Sequence, residues 1–157
     1  MSIRLYSIAF ACVAMTGCAS IVNDTTAPIR FETLNAAGVE IKDAECKLEN
    51  DYGQQIVKTP ATVNVRRSSK DLQVTCVKAG ETDGRGVAIS RANGGMAGNI
   101  ILGGGIGAII DHNKGTAYTY PVWIQVVMGK LLTFDRKLDV EGKPNAGVPS
   151  ITPVAAK

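Results

Sequence analysis

Aromatic residues, histidine and surplus charge are all scarce in this sequence. Phe, Trp and Tyr make up 5% of the 157 residues, so a core has to be built mainly from Val, Ile, Leu and Ala. The one histidine, His112, has no cysteine cluster beside it and leaves a structural zinc site short of ligands. The formal net charge of +3 is too small to favour nucleic acid as a partner. We therefore expect no metal, no other cofactor and no nucleic-acid binding.

Long hydrophobic runs are missing as well, and the apolar stretch near the N-terminus is short. Leu5 to Met15 is about half as long as the roughly 20 apolar residues that a membrane-spanning helix needs. The stretch follows a minimal basic segment, Ser2-Ile3-Arg4, and precedes small residues. This order is typical of an export signal that is removed, and we place that signal at residues 1–17.

The residues that close this signal carry a motif. Ala14-Met15-Thr16-Gly17-Cys18 resembles the lipobox of bacterial lipoproteins, with methionine where leucine is usual. The resemblance implies cleavage before Cys18, acylation of that residue, and membrane lipid as its partner, because several acyl chains anchor stably. Ala19 and Ser20 follow the cysteine in place of Asp, which implies the outer membrane, with the domain facing the periplasm. The alternative is an ordinary secretory signal with an incidental cysteine.

The rest of the chain is long enough for one domain. Removal of 17 residues from 157 leaves 140, and loss of Arg4 takes the basic residues from 17 to 16 against 14 acidic ones, a net charge of +2. A chain of that length buries a core without additional crosslinks. We expect a polar tether at residues 18–27 and a folded domain at 28–140. Glycine and proline recur in residues 141–157, which predicts a disordered tail.

Alternation of apolar and polar residues predicts short strands, with turn residues between them. The predicted strands cover residues 28–34, 45–49, 61–65, 72–77 and 118–128, and residues 131–138 return as a hairpin partner of the last one. This spacing favours a mainly β (α+β) fold. We predict a small antiparallel β-sandwich with one glycine-rich helical or hairpin insertion.

Two cysteines remain once Cys12 leaves with the signal and Cys18 is acylated. Cys46 and Cys76 each lie on the apolar side of a predicted strand, so both thiols point inward. In an oxidising compartment this placement predicts a disulfide. The alternative is two separate buried thiols that behave as small hydrophobic side chains.

A set of positions between residues 41 and 80 matches a known envelope module. These positions are Ala44, Gly53, Thr59-Pro60, Val63, Val65, Leu72, Val74 and Gly80. Through them the stretch resembles a PEGA-type module, a small β-sandwich repeat of bacterial surface and envelope proteins. Ile41-Lys42-Asp43-Ala44 keeps only the alanine of Pro-Glu-Gly-Ala, and Gly80-Glu81 replaces the Gly-Tyr of the family. The resemblance implies a β-sandwich and no catalytic residues. Taken whole, the layout of the chain is similar to that of small Gram-negative envelope lipoproteins.

Residues 93–111 form a glycine-rich, apolar stretch. Gly94 with Gly98, and Gly103 with Gly107, are spaced so that each pair lies on one face of a helix, where another backbone can approach closely. The apolar part has 15 residues, which make about 22 Å of helix and fall short of the ~30 Å hydrocarbon core. The stretch packs on the sandwich, enters the leaflet that holds the anchor, or forms an oligomer contact. All three interpretations stay open at this point.

Three functions are consistent with these features. The first is an outer-membrane-anchored lipoprotein with a non-enzymatic structural or binding role, whose candidate partners are an envelope protein or a glycan. The second is a membrane-inserting or oligomer-forming lipoprotein that acts through its glycine-rich segment, with a second copy of the chain as partner. The third is an envelope hydrolase, for which the sequence offers no nucleophile beside Asp111 and His112. We therefore expect no enzymatic activity and assign no catalytic residue.

Overall fold

A computed structural model describes residues 25–92 and 117–150, which fold into strands with one short helix. The strands are β1 (Thr26–Leu34), β2 (Glu40–Ile41), β3 (Ala44–Asn50), β4 (Gly53–Thr59), β5 (Ala61–Arg66), β6 (Leu72–Val77), β7 (Gly84–Ala88), β8 (Arg91–Ala92), β9 (Tyr118–Thr119), β10 (Trp123–Val127), β11 (Leu131–Phe134) and β12 (Val148–Pro149). A 3₁₀ helix, Arg136–Leu138, lies between β11 and β12. Among these residues no helix is long or apolar enough to cross a membrane.

Two larger sheets face each other, and a two-stranded one lies beside them. In the first sheet β1 is central, and β10 pairs with one of its edges. The other edge of β1 pairs with β5 along its first part and with β2 at its end. The second sheet has the order β12-β11-β7-β6-β3-β4, and β8 pairs with β9 to form the third. The predicted mainly β, sandwich-like fold is confirmed. Its larger sheets are mixed, because β1–β10 and β7–β11 are parallel pairs, which need long connections between their strands.

The core lies between the inner faces of the two larger sheets. Alternation along β1 turns Ile29 and Phe31 inward, and alternation along β3 does the same for Cys46 and Leu48. Aliphatic side chains make up most of the core, as the composition requires, and Phe31, Phe134 and Tyr120 are the largest side chains in it. The three aromatic residues supply bulk that Val and Leu alone do not.

The predicted hairpin of β10 and β11 is wrong. The two strands belong to different sheets, and the turn at Met128, Gly129 and Lys130 carries the chain across the core from one sheet to the other. β11 pairs in parallel with β7 instead, so that Leu132 lies opposite Gly86. A tight turn is compatible both with a hairpin and with a connection between two sheets, and only the long-range strand pairing distinguishes the two.

The predicted disordered tail is wrong for residues 141–150. Asn145 is 4% exposed, and its backbone bonds to β10 on both sides, from its N to Trp123 O at 2.8 Å and from Gln125 N to its O at 3.1 Å. β12 then pairs with β11. The glycines and prolines of this stretch form turns that return the chain to the sheets. At the other boundary, β1 takes up the last two residues of the expected tether, Thr26 and Ala27.

Candidate functional site

The predicted disulfide between Cys46 and Cys76 is present. The two residues lie opposite each other on β3 and β6, with Cα atoms 4.0 Å apart and an S–S bond of 2.01 Å. Both are fully buried. The bridge closes a loop of 30 residues and contributes about 3–4 kcal/mol to stability by the chain-entropy model. The role of this pair is structural.

The other predicted site residues lie outside the described part of the chain. They are Cys18, the expected acylation site, and Gly94, Gly98, Gly103 and Gly107, the expected packing or membrane-contact positions. Their roles stay predictions. The structure does show where the chain leaves and re-enters the folded domain on either side of them.

One end of the sandwich, which we call the entry end, is where β1 begins. Thr26 pairs there with Arg66, the last residue of β5. The β5–β6 loop then leads to Leu72, the first residue of β6, which pairs with Ala88 at the end of β7. The turn between β3 and β4 lies at the same end, because β3 runs antiparallel to β6. The entry end therefore combines the start of β1 with the β3–β4 turn and the β5–β6 loop.

The β8–β9 pair also lies at the entry end. Ala92 pairs with Tyr118, so the chain on the two sides of residues 93–116 runs side by side. Two hydrogen bonds hold this pair to the β5–β6 loop: Ser90 Oγ donates to Ser68 O at 2.5 Å, and Ser90 N donates to Asp71 Oδ1 at 2.8 Å. The described residues on the two sides of the glycine-rich segment, Ala92 and Ala117, therefore both lie at the end where β1 begins.

A bidentate ion pair fixes β8 to the 3₁₀ helix. Arg91 Nε lies 3.1 Å from Asp135 Oδ1, and Arg91 Nη2 lies 2.5 Å from Asp135 Oδ2. The hydrogen bond from Arg91 lowers the pKa of Asp135 below its usual range, and the backbone hydrogen bond from Lys137 acts in the same direction. Asp135 thus caps the helix and also holds β8, the strand that precedes residues 93–116.

A polar cleft of about 240 Å³ opens between the two edge strands β4 and β5, near the entry end. Its apolar floor contains Leu48, Val65 and Leu72, and amide side chains line much of the remainder: Asn50, Gln54, Gln55 and Asn64. The Arg66 guanidinium lies 4.7 Å from the centre of the Tyr52 ring at this cleft. Amide groups beside an aromatic ring and a cation suit hydrogen bonding to a polar ligand. In the part of the chain that the structure describes, no group of three His, Cys, Asp or Glu side chains has the placement of a metal site.

Tyr120 ties the loops of the entry end together. Its hydroxyl donates to Lys70 O at 2.7 Å and accepts from Asn50 Nδ2 at 3.3 Å, and Asn50 Nδ2 also donates to Arg66 O at 2.8 Å. Burial raises the pKa of Tyr120. This role was missed at the sequence level, because the partners of Tyr120 lie 50 and 70 residues away along the chain.

Comparison with known proteins gives no relative: no family model matches the chain, and neither a curated protein nor a solved structure matches it. The PEGA-type resemblance of residues 41–80 therefore stays a prediction. In the structure Ala44 opens β3, Gly53 opens β4 at a φ of +128°, and Val63 and Val65 lie in β5.

Proposed function

We propose that this chain is an outer-membrane lipoprotein, acylated at Cys18, whose β-sandwich has a non-enzymatic structural or binding role on the periplasmic side. The observation that carries the proposal is the fully buried disulfide between Cys46 and Cys76. Disulfides of this kind persist in oxidising compartments such as the bacterial periplasm. An exported destination agrees with the signal-like N-terminus and its lipobox.

The binding part of the role is assigned to the cleft between β4 and β5. Edge strands present unpaired backbone groups, and here the amides of Gln54, Gln55 and Asn64 add donors and acceptors next to the Tyr52 ring. Hydroxyl-rich ligands are bound by such side chains, which makes an envelope glycan a better candidate than a charged cofactor. The partner class proposed for this cleft is therefore a polar glycan.

Membrane fractionation tests the anchor. The unaltered protein should sediment with outer-membrane material in a sucrose gradient, whereas Cys18→Ser should shift away from that fraction. Cys12→Ser is the matched control, because Cys12 lies in the signal that is removed, and it should sediment like the unaltered protein. Outer-membrane sedimentation of Cys18→Ser at the unaltered level would contradict acylation at this residue.

The second candidate is a lipoprotein whose glycine-rich segment enters the bilayer or joins copies of the chain. It is favoured by the pairing of β8 with β9, which brings together the described residues on the two sides of residues 93–116. Carbonate extraction separates the two candidates. The form to extract is Cys18→Ser exported with an ordinary cleavable signal, because an uncleaved signal would by itself hold the protein in the membrane. Retention of this form after carbonate washing supports insertion, and its complete release supports the first candidate.

A further inference from the structure

Three points of the folded domain that continue into the rest of the chain lie at the entry end. Thr25 leads back toward Cys18, and residues 92 and 117 lead into the glycine-rich segment. Ser150, whose N donates to Leu131 O at 3.0 Å, lies at the opposite end of the sandwich. That end also carries closed turns. One of them is fixed by Asn35, whose side-chain oxygen accepts from Ala37 N at 3.0 Å and from Val39 N at 2.9 Å.

The length of the tether limits how the sandwich can be oriented. Eight residues lead from Cys18 to Thr26, and a fully extended chain of that length spans at most about 28 Å. β1 has nine residues, and its eight intervals at ~3.3 Å each make the sandwich about 26 Å long. Contact between the opposite end and the bilayer would require the tether to run the whole length of the sandwich. That contact would need the tether almost fully extended, at a cost in conformational entropy, whereas the entry end is within reach of every shorter tether conformation.

The charges of the entry end suit a surface of lipid phosphates. Lys70 is exposed in the β5–β6 loop, and Arg66 is exposed beside the Tyr52 ring. Asp51 and Asp71 lie in the same region and keep their negative charge, because their hydrogen-bond donors, Ser68 Oγ and Ser90 N, are neutral. Arg67, whose Nε donates to Thr26 O, adds a third basic group beside Arg66 and Lys70. Tyrosine and arginine are typical of the headgroup layer, where one end of the side chain is apolar and the other polar.

We propose that the entry end of the sandwich lies against the phospholipid surface that holds the anchor, with Arg66 and Lys70 facing lipid phosphates. This inference rests on the proposed acylation of Cys18. It adds an orientation to the anchor: the opposite end points into the periplasm. The cleft between β4 and β5 then opens close to the headgroup layer.

Two exposed lysines, one at each end, provide a matched test. Lys70→Cys places a thiol at the entry end, and Lys130→Cys places one in the β10–β11 turn at the opposite end. Each full-length protein, purified from membranes, is labelled with a small fluorophore without reductant. It is then reconstituted into vesicles of phosphatidylethanolamine and phosphatidylglycerol. A fraction of the lipids carries a headgroup nitroxide, which quenches at contact distance.

Flotation of the vesicles is scored first, and fluorescence second. The proposal predicts that the protein floats with the vesicles, that fluorescence at position 70 falls by about half or more, and that fluorescence at position 130 is unchanged. Three results overturn the orientation and leave the anchor intact, each with the protein floating: equal quenching at both positions, quenching at position 130 alone, or quenching at neither position. Failure of the acylated protein to float overturns the anchor and, with it, the orientation.

Discussion

Phe134 lies between two glycines that leave no room for a side chain. A Cβ added at Gly86 would clash with Phe134 Cε2, and one added at Gly147 would lie 2.8 Å from Phe134 Cε1. Both glycines therefore allow a large ring to fill the core next to β7. The helical spacing of Gly103 and Gly107 predicted a close backbone contact at those two residues. Glycine within a strand is the equivalent signal for a sheet, and it was not used.

Gly86→Ala is expected to lower the free energy of unfolding by about 1–3 kcal/mol, because the added methyl group overpacks the core at Phe134. Urea unfolding of the single variants and of the double variant with Phe134→Leu measures the coupling between the two positions. The same substitution should cost less in the Phe134→Leu background. An equal loss of unfolding free energy in both backgrounds would show that contact with the Phe134 ring does not cause the destabilisation by Gly86→Ala.

The ion pair of Arg91 with Asp135 makes stability depend on pH. The pKa of Asp135 is lower in the folded chain than its usual value, mainly because of the hydrogen bond from Arg91. The carboxylate therefore stabilises the fold at neutral pH, and this contribution is lost as the pH falls from the usual carboxyl range through the lowered pKa. Arg91 has a side chain that is 42% exposed, which keeps the effect small.

Asp135→Asn tests this dependence, since asparagine keeps an acceptor for Lys137 N but loses the charge. Urea unfolding midpoints are compared between neutral pH and about pH 3, where free aspartate is mostly protonated. The unaltered protein should be the more stable at neutral pH, and the difference should shrink as the pH falls. A difference that is constant over the whole range would rule out the carboxylate as its cause.

At the scale of elements, the sequence predicted strands better than their partners. Alternation located β1, β3, β5 and β6 to within two residues, because one face of each strand lies on the core. Alternation carries no information about which strand lies next to which. The parallel pairs of β1 with β10 and of β7 with β11 depend on contacts between residues about 45 to 95 positions apart along the chain. Those pairings were therefore beyond sequence reasoning, and so was the cleft that depends on β4 and β5 both being edge strands.

For residues 141–150 the sequence predicted disorder where the structure has ordered turns and a strand. The glycines and prolines of this stretch suggested disorder, but Asn145 provides the partners that fix it: its side chain donates to Asp135 O at 2.9 Å and to Asp139 Oδ1 at 2.8 Å, and accepts from Gly147 N at 3.0 Å. Burying an asparagine is favourable only with such partners. Gly147 adopts a φ of +67°, which glycine tolerates and which aims β12 at β11.

Two shortened chains test whether this element contributes to the fold. A chain ending at Val140 should unfold at lower urea concentration than one ending at Ser150, because it loses β12 and the hydrogen bonds of Asn145. Asn145→Ala in the longer chain should account for about 1–3 kcal/mol of that loss, since it leaves buried polar groups without partners. Equal midpoints for the two shortened chains would restore the interpretation of a tail that does not contribute.

At the scale of the whole molecule, the described residues that border residues 1–24 and 93–116 lie at one end of the fold, whereas Ser150 lies beside Leu131 at the other. The start of β1 and the β8–β9 pair lie together at the entry end, and the polar cleft opens close to it. The turns at the opposite end return the chain directly to the sheets. Such a layout suits a module held by one end to a surface. The proposed function depends most on the anchor that we propose at Cys18.

Metabolic labelling with a clickable palmitate analogue tests the anchor most directly. The unaltered protein and Cys12→Ser should incorporate the analogue to the same extent, since acylation is expected on Cys18 alone. Cys18→Ser should incorporate none and should keep its signal, because the lipoprotein peptidase needs the acylated cysteine. Undiminished label in Cys18→Ser would contradict the lipoprotein assignment, and the orientation of the sandwich would lose its basis with it.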